Sequence, residues 1–453
     1  MTSTPPPMFQ SKLLCLSIFY LASSIFLVLY NSLSPTKCLF RSSPFDPLLS
    51  PLFLYPSSYG EHKYAIPTSR SSCKSPVFFS DYWDVLKQFE ELVAKNSTDV
   101  RGLRYLEISS SARHQMISFG GNFSFEKRVS YFDHGDGEVN DFFPCGFLND
   151  LPIAKSDRTE MDRCRGLVVV SAIFNDHDKI RQPKGLGSKT LDTVCFFMFV
   201  DDVTLKGLAF NKLIPRKTQQ LTQIGVWRLI RIPTETLYAN PAMNGVIFKY
   251  LIHRLFPNAK FSIWVDAKMQ LVVDPLLLIH ALVVEKNVDM AISNHPFYVN
   301  TMEEAMATAR WKKWSDVDVL RLQMESYCAN GLQPWSPKKL PYTSDVPDTA
   351  IILRKHGLGS NLFSCLMFNE LEAFNPRDQL AFAFVRDKMN PKVKINMFDV
   401  EVFEQIAVEY RHNLKHVGPV SRTKTSRAKF GSSVNGSCSL YLSEMWGESH
   451  DHV

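Results

Sequence analysis

The sequence predicts an α/β fold, a mostly parallel sheet with helices on both faces, carried behind an N-terminal apolar segment. Three observations predict it. From Gly166 onward, short β-branched runs alternate with stretches of helical periodicity. Those runs are almost wholly apolar rather than alternating, as expected of strands buried on both faces. Ahead of them, Leu13 to Tyr30 (LLCLSIFYLASSIFLVLY) contains no charged residue and is just long enough to cross a bilayer as a helix.

Taken in order, residues 1–12 read as a cytosolic tail and 13–30 as an uncleaved signal anchor. Pro35 follows the only small-residue candidate cleavage site, SLSP, and argues against processing. With nearly the whole chain behind it, this anchor implies a single-pass type II membrane protein whose bulk faces the secretory lumen. Residues 31–76, rich in Ser, Pro and Tyr, read as a stem. Residues 77–144 carry one short helix, DYWDVLKQFEELVA from Asp81 to Ala94, and are otherwise poorly defined.

The catalytic domain is expected over 145–417. Its strands are GLVVVSAIF (Gly166–Phe174), TVCFFMFV (Thr193–Val200), a weaker run over Gly225–Ile232, Phe261–Val265, Val288–Ser293 and Thr349–Leu353. Asn240-Pro241 opens a helix as cap and first helical residue. Met243, Val246, Ile247, Tyr250, Leu251 and Leu255 follow at the spacing of one buried face. Pro275 to Val284 reads as a helix. Thr301 and Glu304 read as a capping box for a long helical region through Trp311 and Trp314, and Asn375-Pro376 opens a late helix. Residues 418–453 form a polar tail whose Arg422, Lys424, Arg427 and Lys429 read as a solvated basic end.

The 453 residues, 45% hydrophobic and 21% charged with a formal charge of +6, have ordinary globular composition and no nucleic-acid signature. Sequons at Asn96, Asn122 and Asn435 agree with a lumenal location. Of nine cysteines, Cys15 lies in the anchor, and the other eight allow up to four bridges. None forms a C-x-x-C pair, which disfavours structural zinc. Cys145 and Cys164 are a candidate pair, whereas Cys195 and Cys365 lie in apolar runs and are expected to be reduced core residues.

In open α/β sheets ligands bind outside the carboxyl ends of the strands. The residues there are Asn175-Asp176-His177-Asp178-Lys179, Asp201-Asp202, Asp266-Ala267-Lys268 and Asn294-His295. If the backbone stays extended, Asp266 and Lys268 point the same way. Their position looks like the acidic turn of Rossmann-like nucleotide-sugar transferases, in which two acids hold a divalent ion against the diphosphate. Here a lysine takes the second place and can neutralise a diphosphate directly. Asp378, in a late helix with Arg377, resembles the acceptor-side acid of several such families. Candidate catalytic residues are therefore Asp266, His295 and Asp378. Asp176, His177, Lys179, Lys268 and Arg377 are candidate binding residues, and Asp266 with Asp178 the candidate ligands of a divalent metal ion. His253 and His280 sit in helical patterns and read as structural. The absence of H-E-x-x-H, G-x-S-x-G, G-x-x-x-x-G-K-[ST] and a post-strand G-x-G-x-x-G disfavours several standard hydrolases and nucleotidases.

The segments SAIFNDHDKIRQP, NPAMNGVIFKYLIHRLFP, FSIWVDAKMQLVVDPLLLIH, NTMEEAMATARWKKW and FNPRDQLAFAFVRD resemble a plant family described as glycosyltransferase-like, which includes proteins of seed-coat mucilage synthesis. The resemblance covers roughly Cys145 to Val417. The short N terminus, FRSSPFDP and MWGES resemble one branch of that family more closely. It implies a Golgi alkaline ceramidase, linked to turgor control in pollen tubes and guard cells, that hydrolyses ceramide to sphingosine and fatty acid. The expected partners are thus ceramide or a nucleotide sugar, and the Golgi membrane. A base or metal-ligand set for such hydrolysis would come from Asp176, His177, Asp178, Asp266 and His295. The resemblance makes ceramide hydrolysis the expected activity, and the alternative, favoured by the residues read alone, is a type II Golgi glycosyltransferase that uses a nucleotide sugar to build cell-wall polysaccharide.

Overall fold

The computed structural model describes residues 11–33, 38–41, most of 46–59 and 73–94, 103–106, 118–133, most of 142–412, and Cys438. Among these, one helix, Lys12–Leu33, is long and apolar enough to cross a membrane.

Strands β1 (Leu39–Arg41) and β2 (Val77–Phe79) form a small parallel pair. The main sheet contains β3 (Leu167–Ile173), β4 (Val194–Asp201), β5 (Gln223–Ile224), β6 (Trp227–Ile232) and β7 (Phe261–Val265). A short strand β8 (Met269–Leu271) lies outside it; then β9 (Met290–Asn294), β10 (Pro347–Lys355) and β11 (Ile395–Phe398) complete it. β12 (Ala407–Glu409) pairs with β8. The spatial order is β11-β9-β10-β7-β3-β4-β6-β5.

Four of its seven pairings are parallel, and β10 runs antiparallel to both β7 and β9. The reversal has a consequence for the site. Ile351 pairs with Val265 and Pro347 with Asn294, so the beginning of β10 meets the carboxyl ends of β7 and β9. The sheet is mixed because β10 enters from the edge where its neighbours leave, and the short edge strand β5 runs antiparallel to β6.

Alternate residues feed two cores, as the pleat requires. Val168, Val170, Phe197, Phe199 and Trp264 pack under helices Pro241–Tyr250, Leu358–Ala373 and Asp378–Lys388. Val169, Phe196, Ile263 and Val265 pack on the opposite face with Tyr82, Val85 and Phe89 of helix Tyr82–Ala94 and with Leu276 to Ile279.

Asn240 caps its helix as expected, its side chain accepting from Ala242 N at 2.9 Å, and Met243, Val246, Ile247, Tyr250, Leu251 and Leu255 are buried. The Thr301–Glu304 capping box does not form. Asn300 precedes the helix, and buried Glu304 turns to Arg377 and Lys313 instead. The expected long helix also divides, into Thr301–Arg310 and Val317–Ala329.

The cysteine expectations are corrected. Cys145 pairs with Cys365 and Cys164 with Cys195, while Cys38 pairs with Cys73 and Cys328 with Cys438. Apolar neighbours marked Cys195 and Cys365 as core residues, and a disulfide is itself an apolar core element. Described residues of the expected stem pack on the domain rather than apart from it. Cys38 is fully buried, Pro47 bridges to Gly187, and the Tyr59 hydroxyl accepts from Ile180 N at 2.6 Å. Of the sequons, Asn122 is exposed; Asn96 and Asn435 lie outside the described residues.

Candidate functional site

A cavity of about 430 Å³ opens where β3, β7 and the start of β10 meet, within the range of small-ligand sites. Its floor is the Asp266 turn. The chain does not stay extended there, because Met269 N bonds back to Asp266 O at 2.8 Å and closes a turn before β8. Asp266 Oδ1 accepts the Trp264 indole N–H at 2.6 Å, and Lys249 Nζ stands 3.8 Å from the same oxygen. Lys268 reaches Glu409 at 2.8 Å, yet both Asp266 and Lys268 line the cavity. Burial alone would lower the Lys268 ammonium, but Asp266 and Glu409 hold it above its ordinary value.

Asp378 forms the second carboxylate of the cavity. Lys249 Nζ lies 2.7 Å from it, and it accepts from Thr349 Oγ1 at 2.9 Å and Tyr250 OH at 3.1 Å. Burial pushes the Asp378 carboxyl up; the Lys249 ammonium and the Thr349 hydroxyl outweigh that, leaving it below the usual carboxylate value. One lysine therefore stands between two carboxylates, close to Asp378 and within reach of Asp266.

The rim comes from two loops and a helix start. His177 and Asp178 follow β3, and Asp178 meets His412 Nδ1 at 2.9 and 3.1 Å. The hydrogen bond to Asp178 raises the His412 imidazole above its ordinary value against the effect of burial. Arg377 Nη2 is held at 2.5 Å by Glu304, which is wholly buried. Nearby, burial pushes the Asp348 carboxyl up to about 6, with Lys268 opposing.

The fold thus gathers Asp266, Lys268, Asp378, Arg377, His177 and Asp178 around one cavity. Three other candidates lie outside its lining. Asp176 has left-handed backbone (φ 53°), and its amide donates to Thr204 Oγ1. Lys179 donates to the Tyr59 carbonyl, and His295 Nδ1 accepts the amides of Phe297 and Tyr298. Asp201 and Asp202 are structural, capping Thr204 N at 2.8 Å and pairing with Arg231 at 2.6 Å. His253 and His280 are buried, as expected.

Among the described residues, one group of three metal-ligating side chains converges: Cys145, His253 and Cys365, whose sulfurs form a disulfide. Asp178 and Asp266 belong to no such group of three. Sequence reasoning missed Lys249, Asp348, Glu409 and His412. Lys249 had a signal, since it is a charge inside the apolar stretch VIFKYLI.

A polar cavity at the carboxyl edge of a largely parallel sheet, with two carboxylates sharing a lysine, is the arrangement of an α/β enzyme domain. Residues 103–412 match the family described as the TOD1/MUCI70, glycosyltransferase-like domain, and the chain belongs to that family. It is 62% identical over 465 aligned positions, 98% of each chain, to the Arabidopsis thaliana protein named alkaline ceramidase TOD1. It is 38% identical over 270 positions to the Arabidopsis thaliana probable hexosyltransferase MUCI70, covering 56% of this chain and 44% of that one. Mouse xyloside xylosyltransferase 1 aligns at 8% identity and a TM-score of 0.27, over 51% of this chain and 84% of that one. The WbbM bifunctional glycosyltransferase aligns at 10% and 0.26, over 57% and 41%.

Proposed function

We propose that the chain is a Golgi-anchored amide hydrolase that cleaves ceramide to sphingosine and a free fatty acid. The observation that carries this reading is the 62% identity, across 98% of both chains, to a protein named an alkaline ceramidase. In this reading Asp266 takes a proton from the attacking water and returns it to the departing amine. Lys249 and Lys268 bring positive charge to the developing oxyanion, and Asp378 fixes Lys249 through the 2.7 Å ion pair. His177 and Arg377 bind polar groups of the substrate at the rim.

The apolar helix Lys12–Leu33 anchors the chain, and four disulfides support a lumenal domain. The orientation is type II, with Asn122 glycosylated. Golgi residence is read by microscopy of a tagged full chain, orientation by protease protection, and glycosylation by a mobility shift lost in Asn122→Gln.

A second reading is favoured by the glycosyltransferase-like family description and the probable hexosyltransferase relative. There Lys268 and Arg377 would take the diphosphate of a nucleotide sugar. Both are tested by incubating the purified full chain with ceramide at alkaline pH, without nucleotide, and measuring fatty acid. Release that Asp266→Asn abolishes while remaining folded supports the hydrolase. No release, together with thermal stabilisation by a nucleoside diphosphate, overturns it in favour of transfer.

A further inference from the structure

The apolar helix and the folded domain are joined by a short tether. Lys12–Leu33 has 22 residues, about 33 Å of helix, which matches the hydrocarbon thickness and leaves Leu33 near the interface. Cys38 is already part of the folded domain. It is fully buried, bonded to Cys73, and donates its amide to Gln405 Oε1 at 3.1 Å. Residues 34–37 alone separate the two, a reach of about 18 Å at full extension. A domain of this length is on the order of 50 Å across, so the tether keeps the face around Cys38 nearer the bilayer that holds the anchor than the far side of the domain.

That face carries exposed apolar side chains. β1 begins directly after this short tether and pairs with β2, so that Phe40 and Phe78 are register partners with rings stacked at 5.2 Å. Phe79 turns into the core, whereas Phe78 is 65% exposed. Trp83, in the first turn of helix Tyr82–Ala94, is 49% exposed, although its neighbour Tyr82 is buried. Gly187 abuts the Tyr82 ring and bridges to Pro47, which brings Leu49, 90% exposed, into the same neighbourhood. Other exposed apolar side chains, such as Phe210 and Phe297, lie elsewhere on the domain; those on β2 and the helix that follows it sit beside the strand that the anchor's tether enters.

We propose that Phe40, Leu49, Phe78 and Trp83 form a second, interfacial contact with the anchoring bilayer that fixes the orientation of the domain. The occupant is the lipid surface, because the tether keeps that face near it. Phe and Trp are suited to the boundary between headgroups and acyl chains, and Arg41 and Lys87 are exposed beside them. The proposal rests on reading Lys12–Leu33 as an anchor.

The test uses the full chain reconstituted into phosphatidylcholine vesicles with brominated acyl chains, which quench tryptophan on contact. The anchor helix contains no tryptophan, so quenching reports the domain. Trp83 is one of seven tryptophans, and about one-seventh of the emission should be quenched in the wild type and spared in Trp83→Phe. Double substitution Leu49→Ser with Phe78→Ser should reduce the same component, with the disulfide-bonded fold checked by circular dichroism. A carbonate wash separates the two premises. Protein that washes off the vesicles overturns the anchor and the proposal with it. Protein that stays, with quenching equal in wild type and Trp83→Phe, overturns the interfacial face alone. Retention without quenching, with Trp83 crosslinking to a second copy, would assign the patch to self-association instead.

Discussion

Replacing Lys249 with methionine keeps the volume of the side chain and removes only its charge. Asp378 would keep its bonds from Thr349 and Tyr250 but lose the ammonium 2.7 Å away. Removing one partner of a buried pair costs about 3–5 kcal/mol, because the other charge stays desolvated. Lys249 also faces Asp266 at 3.8 Å, which adds to the imbalance. At roughly 2 °C per kcal/mol for a domain of this size, the melting temperature should fall by about 6–10 °C near pH 7.5. The loss should depend on pH in a defined direction. In the wild type the Asp378 carboxyl is depressed by Lys249 against burial. Its contribution is therefore present above the unfolded value of about 3.9 and lost as pH falls through the folded value. Without Lys249, burial prevails and the carboxyl rises above the unfolded value. The variant is then penalised increasingly as pH climbs, and the gap to wild type narrows towards pH 4. The assay is thermal unfolding of both full chains in the same detergent from pH 4 to 8. A gap below about 1 kcal/mol that does not vary with pH would refute the buried-pair account.

Glu304→Gln should raise KM more than it lowers kcat, because Arg377 would keep its charge at the rim but lose the carboxylate that orients it; an unchanged KM would show that Arg377 does not meet substrate. His412→Gln should flatten the pH dependence of stability on the alkaline side. The His412 imidazole is raised by Asp178, so its contribution is present below the unfolded value of about 6.5 and lost as pH rises through the folded value. The check is the slope of melting temperature against pH between 6 and 9. Cys145→Ser with Cys365→Ser opens a separation of 220 residues and should destabilise the domain by about 5 kcal/mol on loop-closure entropy, visible as a lower unfolding temperature under non-reducing conditions.

How far the sequence reached depended on whether a feature was local. The apolar runs that became β3, β4 and β7 were legible because a strand buried on both faces needs no polar alternation. The Asn240-Pro241 start was legible because capping is decided within four residues. β11 and helix Leu358–Ala373 were not recognised, and the direction of β10 could not be read, since pairing sense is set by where the connecting helices leave the chain. The site divides the same way. Asp266 and Lys268 drew notice as charges at the end of an apolar run, and Asp378 as an acid opening a helix. Lys249 lay in a stretch read only for the period of its apolar residues, and the charge inside it was not weighed. Lys249 is 10% exposed and joins the two carboxylates across more than a hundred residues of sequence. His412 and Asp178 meet across 234 residues, a separation over which no pattern carries information. The cysteines show the limit most clearly. Their apolar surroundings were read correctly as core, and the error lay in treating core burial as an alternative to bonding, when four pairs bring both together.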